Sequence, residues 1–287
     1  MRRTRAAILF FLLGSVLLLG QQDSPLPGAP FRLIGNIYYV GGEDLTSYLI
    51  VTPKGLILLD GGSAALAPVI KKNIEQLGFR VEDIRYLLNS HAHMDHAGGL
   101  AMLKKLSGAK MVASEGDRPL LERRVSEQSG DRVSFLGVQV DKVIRDGDEV
   151  ELGGVSLHAL ITPGHTPGCT TWTMRVSEDG KKYDVVFFCS LSVLEHTRLV
   201  DNKAYPQIIS DYESSYARLK QLHCDVFLAP HGSFFNLKEK SALLRKGVHP
   251  NPFVDANEFR WFVAASEREF RQKLAEQRGS VSNVNTR

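Results

Sequence analysis

Cysteine is scarce in this chain of 287 residues, which carries only Cys169, Cys189 and Cys224. So few exclude a fold stapled by several disulfides, and an odd count leaves at least one thiol unpaired within a monomer. Cys189 follows the apolar run 185–188 and Cys224 precedes another, so buried free thiols and a single bridge are both open. There is no short-period repeat, which sets aside solenoid and propeller arrays. Net charge is missing as well. Setting aside the first twenty residues removes Arg2, Arg3 and Arg5, and 32 basic residues then face 32 acidic ones. That balance gives no electrostatic case for nucleic acid.

Long apolar runs are lacking beyond one stretch, Ala6 to Leu19, directly behind those arginines. Its n-region and h-region are those of a secretory signal, with an uncleaved anchor as the alternative. No cysteine follows it to carry a lipid. We therefore read residues 1–20 as a signal peptide that delivers the chain to the periplasm. Residues 21–287 read as one domain, a monomer free of the membrane once the signal is removed; its length and apolar content suffice for a sizeable core.

What is present is a series of short strands and amphipathic helices. Residues 31–40 form a strand pair turning at Gly35-Asn36, and 47–52 and 55–60 are two more strands around Pro53-Lys54. Helical spacing over 64–77 stops at Gly78. Strand 84–89 leads to a helix at 99–106, then a strand at 110–113 and a helical turn at 117–124. Gly153-Gly154 marks a hairpin ahead of strand 155–161, and strands 170–176 and 183–188 flank Asp179-Gly180. Helix 212–222, strand 226–228 and helix 255–277 follow, with a fraying polar tail from Arg278. Strands cluster before helices, with little strict βαβ alternation. The pattern implies an α+β, four-layer αββα sandwich, two sheets face to face with helices outside each.

The densest chemistry lies in Ser90-His91-Ala92-His93-Met94-Asp95-His96-Ala97-Gly98-Gly99, just past strand 84–89. Imidazole nitrogen and carboxylate oxygen are the donors that Zn²⁺ takes in hydrolytic sites. His91 and His93 alternate and can point one way, while Asp95 and His96 lie beyond the bend and can face a second ion. His165 ends another strand inside Thr162-Pro163-Gly164-His165-Thr166-Pro167-Gly168, where two Pro-Gly pairs restrict the backbone. His231 ends strand 226–228 in Ala229-Pro230-His231-Gly232. His158 reads as packed or paired, His196 as rim or surface, and His223 and His249 show no clustering along the chain. Trp172, Phe187 and Phe188 read as core.

Together these residues resemble the metallo-β-lactamase superfamily, and more narrowly its subclass B3 β-lactamases. The similarity covers nearly all of the chain from Phe31 onwards. The resemblance implies two Zn²⁺ ions, one held by His91, His93 and His165 and the other by Asp95, His96 and His231. Many hydrolases of the superfamily carry a bridging Asp in a Gly-Asp pair where this chain has Cys189-Ser190-Leu191-Ser192. In subclass B3, serines at these positions are associated with the substrate carboxylate, so Ser190 and Ser192 are the implied substrate-binding pair. Cys189 sits where other subclasses bring a cysteine ligand, but with His96 completing the second site it reads as a packed core thiol. Asp60 matches a supporting carboxylate that would orient a ligand imidazole through its other N–H.

The implied activity is hydrolysis of the β-lactam amide of penicillins, cephalosporins and carbapenems, and with it antibiotic resistance. Two cations sharing a water would supply hydroxide at neutral pH, with Asp95 holding it in line. Two alternatives stand beside this. One is a dizinc lactonase, thioesterase or esterase; the other is an exported metal-binding protein without turnover.

Overall fold

The computed structural model describes residues 28–122 and 135–284. The signal sequence read at 1–20 and the last two residues of the helical turn read at 117–124 lie outside the described residues. Among the described residues, twelve strands form two sheets. The larger has seven, in the order β1 (Phe31–Ile34), β2 (Ile37–Tyr39), β3 (Tyr48–Thr52), β4 (Gly55–Leu59), β5 (Ile84–Leu88), β6 (Lys110–Ser114) and β7 (Lys142–Ile144). The smaller holds β8 (Glu149–Leu152), β9 (Val155–Ile161), β10 (Thr170–Glu178), β11 (Lys181–Phe187) and β12 (Val226–Leu228).

Alternation along the strands builds the layers. In β3 and β4, Tyr48, Ile50, Ile57 and Leu59 point into the core shared with Trp172, Met174 and Phe187 of the second sheet. Their neighbours Leu49, Leu56 and Leu58 point the other way, onto the apolar faces of α1 (Ala67–Gln76) and α3 (Leu100–Ser107). A period of two thus buries both faces of one sheet. Against the second sheet, Tyr212 of α5 (Ile208–Leu219) stacks with Tyr216 of the same helix and with Phe270 of α7 (Glu258–Val284), while Phe259 and Phe262 pack on Phe227. The expected four-layer αββα sandwich is the architecture observed.

Several details differ from the sequence pattern. β4 through β7 are parallel, joined by α1, by the short α2 (Met94–Ala97) with α3, and by α4 (Arg118–Glu122), so the first half does contain βαβ units. A further helix, α6 (Leu237–Arg245), follows His231 where no helix is read from sequence. The last helix runs to Val284 rather than stopping at Gln277, because adding residues to a helix already anchored by a buried face costs little.

The cysteines correct the thiol reading of Cys189. Cys169 and Cys189 form a disulfide, with Cα atoms 5.8 Å apart, and Cys224 is the buried free thiol. The cause is hairpin register. Trp172 faces Phe187 across β10 and β11, so the residues just outside this pair approach each other at the open end. The bridge spans 20 residues of sequence, and closing a loop of that size stabilises by ~3 kcal/mol through the unfolded chain. Replacing both with alanine (Cys169→Ala, Cys189→Ala) should lower the unfolding free energy by about that amount in urea titration. An unchanged midpoint would show that the bridge adds nothing to the hairpin.

Candidate metal centre

Each chemical side chain stands where a strand ends. His91 follows β5, His165 follows β9 and His231 follows β12, so three strand ends from two sheets open onto one place. The β5 loop is pressed against the turn after β4. Asp60 occupies the left-handed region (φ 62°), which Asp tolerates better than most residues, and Gly61 donates its N–H to the His96 carbonyl at 2.9 Å. Gly99 returns the contact to the Gly62 carbonyl at 3.0 Å, and a Cβ at Gly99 would collide with the Gly61 carbonyl. That close approach fixes where Asp95 and His96 leave α2.

All six sequence-predicted donors converge. The donor atoms of His91, His93 and His165 lie within 4.8 Å of one another, and so do those of Asp95, His96 and His231. The trios share a wall, since the His91 and His96 rings are 4.3 Å apart. His91 and His96 are buried, and the other four are half-buried, giving a closed floor and a mouth.

Hydrogen bonds fix the imidazoles. Ser192 O accepts the His165 Nδ1–H at 2.7 Å, and an Asp44 carboxylate oxygen accepts the His231 Nδ1–H at 2.8 Å. Ser90 Oγ spends its one proton on Asp60 Oδ2 at 2.6 Å, so toward His91 Nδ1, 3.1 Å away, it must accept. In all three rings Nδ1 carries hydrogen, and in His91 and His165 the Nε2 lone pair is left for another partner. Asp60 therefore acts on an imidazole, as the sequence suggests, but through Ser90 rather than by direct contact.

The electrostatics suit a cation. Burial, and then repulsion from neighbouring imidazoles, pushes His91 well below its ordinary pKa and His165 down to about 3, while burial leads the fall of His93. These rings are neutral at pH 7, as metal ligation requires. Burial would raise Asp95, but hydrogen bonds from His231 and His96 outweigh it and hold the carboxyl well below the usual range. His231 moves upward, led by its hydrogen bond to Asp95 against the cost of burial. His96 Nδ1 is the one buried side-chain nitrogen or oxygen without a hydrogen-bond partner among the described residues. An unmet buried nitrogen costs about 1–3 kcal/mol, which fits an ion-binding ring better than a packing one. Five imidazoles and one carboxylate are a donor set that zinc accepts.

The remaining predicted residues fall in place with differences. Ser190 is buried and its Oγ accepts the Ser192 N–H at 3.3 Å, whereas Ser192 is half-buried and more open. His158 pairs with Glu149 at 3.0 Å, and His196 and His249 are exposed. His223, unclustered in sequence, meets Asp225 at 3.1 Å on the surface. Both Cys169 and Cys189 approach His91, but their sulfurs are committed to the bridge. Sequence reasoning missed Asp44 and Asp117. Asp117 is buried and accepts from Ala92 N at 2.9 Å, Thr166 Oγ1 at 2.8 Å and Gly168 N at 2.8 Å, lashing the His91 loop to the His165 loop. Lone Asp residues in loops carry no sequence signal for such roles.

Residues 40–231 match the metallo-β-lactamase superfamily, two-thirds of the chain. The chain belongs to that superfamily. Among solved structures, FEZ-1 metallo-β-lactamase from Legionella gormanii is 42% identical, with 88% of this chain and 97% of that one covered and a TM-score of 0.85. BJP-1, a subclass B3 metallo-β-lactamase of Bradyrhizobium japonicum, is 41% identical, covering 89% and 97%, with a TM-score of 0.83. The subclass B3 resemblance drawn from the motifs is thus matched by structural neighbours. A different relative is a hydroxyacylglutathione hydrolase of Methylococcus capsulatus, 32% identical over 127 residues, 44% of this chain and 41% of that protein. The chain spans about two-fifths or less of the length of the first curated relatives it matches.

Asp117 gives the superfamily scaffold a pH signature. Burial raises its carboxyl to about 6, against hydrogen bonds from Thr166, Gly168 and Ala92 that favour the charged form. A folded-state pKa above the unfolded one means stability that is complete below pH ~4 and is lost as pH rises through about 6. Metal-free protein should show that decline in unfolding free energy, and Asp117→Asn should flatten it. The same slope in the variant would assign the proton to another group.

Proposed function

We propose that this protein is a zinc-dependent hydrolase of the β-lactam amide bond, acting as a monomer in the periplasm and conferring antibiotic resistance. His91, His93 and His165 would hold one ion, and Asp95, His96 and His231 the other. The observation that carries the reading is the pair of complete donor trios sharing the His91–His96 wall. Its placement in a chain 42% identical to a metallo-β-lactamase over 97% of that enzyme supports the substrate class. When bound, two zinc ions supply Lewis acidity, lowering the pKa of water to about 7 and polarising an acyl oxygen.

The chain's own residues do the rest. Asp95, kept ionised despite partial burial, accepts a hydrogen bond from the attacking water and sets its direction. His165 and His91 are locked by Ser192 and Ser90, so their geometry is ready before substrate arrives. Ser190 and Ser192 would anchor the substrate carboxylate at the mouth; Ser192 is the more open of the two, and Ser190 Oγ accepts its N–H. No protein nucleophile is required.

The hydroxyacylglutathione hydrolase match favours one rival, a dizinc thioesterase or lactonase. Against it stands the end of β11, where Cys189-Ser190 offers no carboxylate. Turnover of a cephalosporin against a panel of rival acyl compounds, a thioester and an acyl-lactone, separates the two readings; preference for either rival compound would overturn ours. Hydrolysis of carbapenem and cephalosporin should vanish on zinc chelation and return with added zinc. Activity surviving full zinc removal would rule the mechanism out. Asp95→Ala should lower kcat on the order of 100-fold or more and lose much of the second ion, checked by steady-state kinetics and zinc content.

A further inference from the structure

The β2–β3 loop, residues 40–47, clasps the segment that carries His231. Thr46 N–H donates to Pro230 O at 3.1 Å, Thr46 Oγ1 to Ala229 O at 2.7 Å, and Tyr48 OH to the same carbonyl at 2.6 Å. Leu45 forms an isolated antiparallel bridge with His231 itself. At the centre is Asp44. Its backbone carbonyl accepts Gly232 N–H at 2.7 Å, Oδ1 accepts Ser233 N–H at 2.8 Å, and Oδ2 accepts His231 Nδ1–H at 2.8 Å.

The acceptors behind the imidazoles differ in kind. His165 is backed by a carbonyl and His91 by a hydroxyl, both neutral. His231 is backed directly by a carboxylate. A charged acceptor on Nδ1 fixes the tautomer, orients the ring and makes Nε2 a stronger donor. It also brings a second negative charge to the Asp95 trio, while the all-histidine trio includes none.

We infer that Asp44 is a positioning residue acting through His231, and that it sets how tightly the Asp95–His96–His231 trio holds its zinc. This rests on the two-ion reading given above. Because Asp44 hydrogen-bonds to His231, Gly232 and Ser233 and not to His91, His93 or His165, that trio should be indifferent to it.

The test dialyses full-length, zinc-loaded protein against buffers of graded free Zn²⁺ and counts zinc per chain. Wild type should release its two ions in two steps. Asp44→Ala should release one ion at a free zinc concentration 10–100-fold higher than wild type and the other at an unchanged one. In a His231→Ala background, adding Asp44→Ala should change nothing further, an outcome that a general scaffold role would not give. If truncation disturbs the fold, isosteric Asp44→Asn serves instead; one neutral acceptor remains, and a shift smaller than that of alanine is expected. Retention of both ions at wild-type affinity, or equal weakening of both, overturns the inference. Wild-type protein that never holds two ions overturns the two-ion reading itself, and this inference with it.

Discussion

The buried carboxylate of Asp117 makes the contact on which the centre depends. One of its oxygens takes the Ala92 amide, between His91 and His93, together with the Thr166 hydroxyl next to His165; the other takes Gly168 N. The two loops belong to different sheets, and face-to-face packing of sheets does not by itself set how strand ends align. A group that accepts from both loops does. Its burial costs solvation, and the three donors offset that cost only when both loops are in place.

Around that tie, imidazoles are gathered closer than water would allow charged ones to stay. Burial and mutual repulsion keep His91, His93 and His165 neutral, and Ser90 Oγ and Ser192 O accept from the Nδ1 atoms of His91 and His165. The floor is rigid because its supports are backbone groups and short side chains from buried strands. The mouth, at Ser192 and His231, is more open, and the Cys169–Cys189 bridge anchors the strand end from which Ser192 emerges.

Much of this was legible in the residue order. The six donors, the strand ends that carry them and the layered architecture follow from spacing and alternation, because ligand-dense loops and period-two burial leave local marks. The disulfide was legible in principle. Strands 170–176 and 183–188 around Asp179-Gly180 imply a register that brings Cys169 toward Cys189, and only that register separates a bridge from two packed thiols. Asp44 and Asp117 left no mark. Their partners stand 187 and up to 51 residues away, and a single Asp in a loop reads as a turn residue.

Sequence by itself determined which side chains could bind metal and which strands would deliver them, since both are set by residue type and local periodicity. Tertiary structure alone decided how those side chains are held. Whether Asp60 reaches an imidazole directly or through Ser90, which histidine receives a carboxylate, and which serine faces the mouth all depend on distances of a few tenths of an ångström between segments far apart in the chain. Such distances are fixed by packing of the two sheets, and no local pattern encodes them.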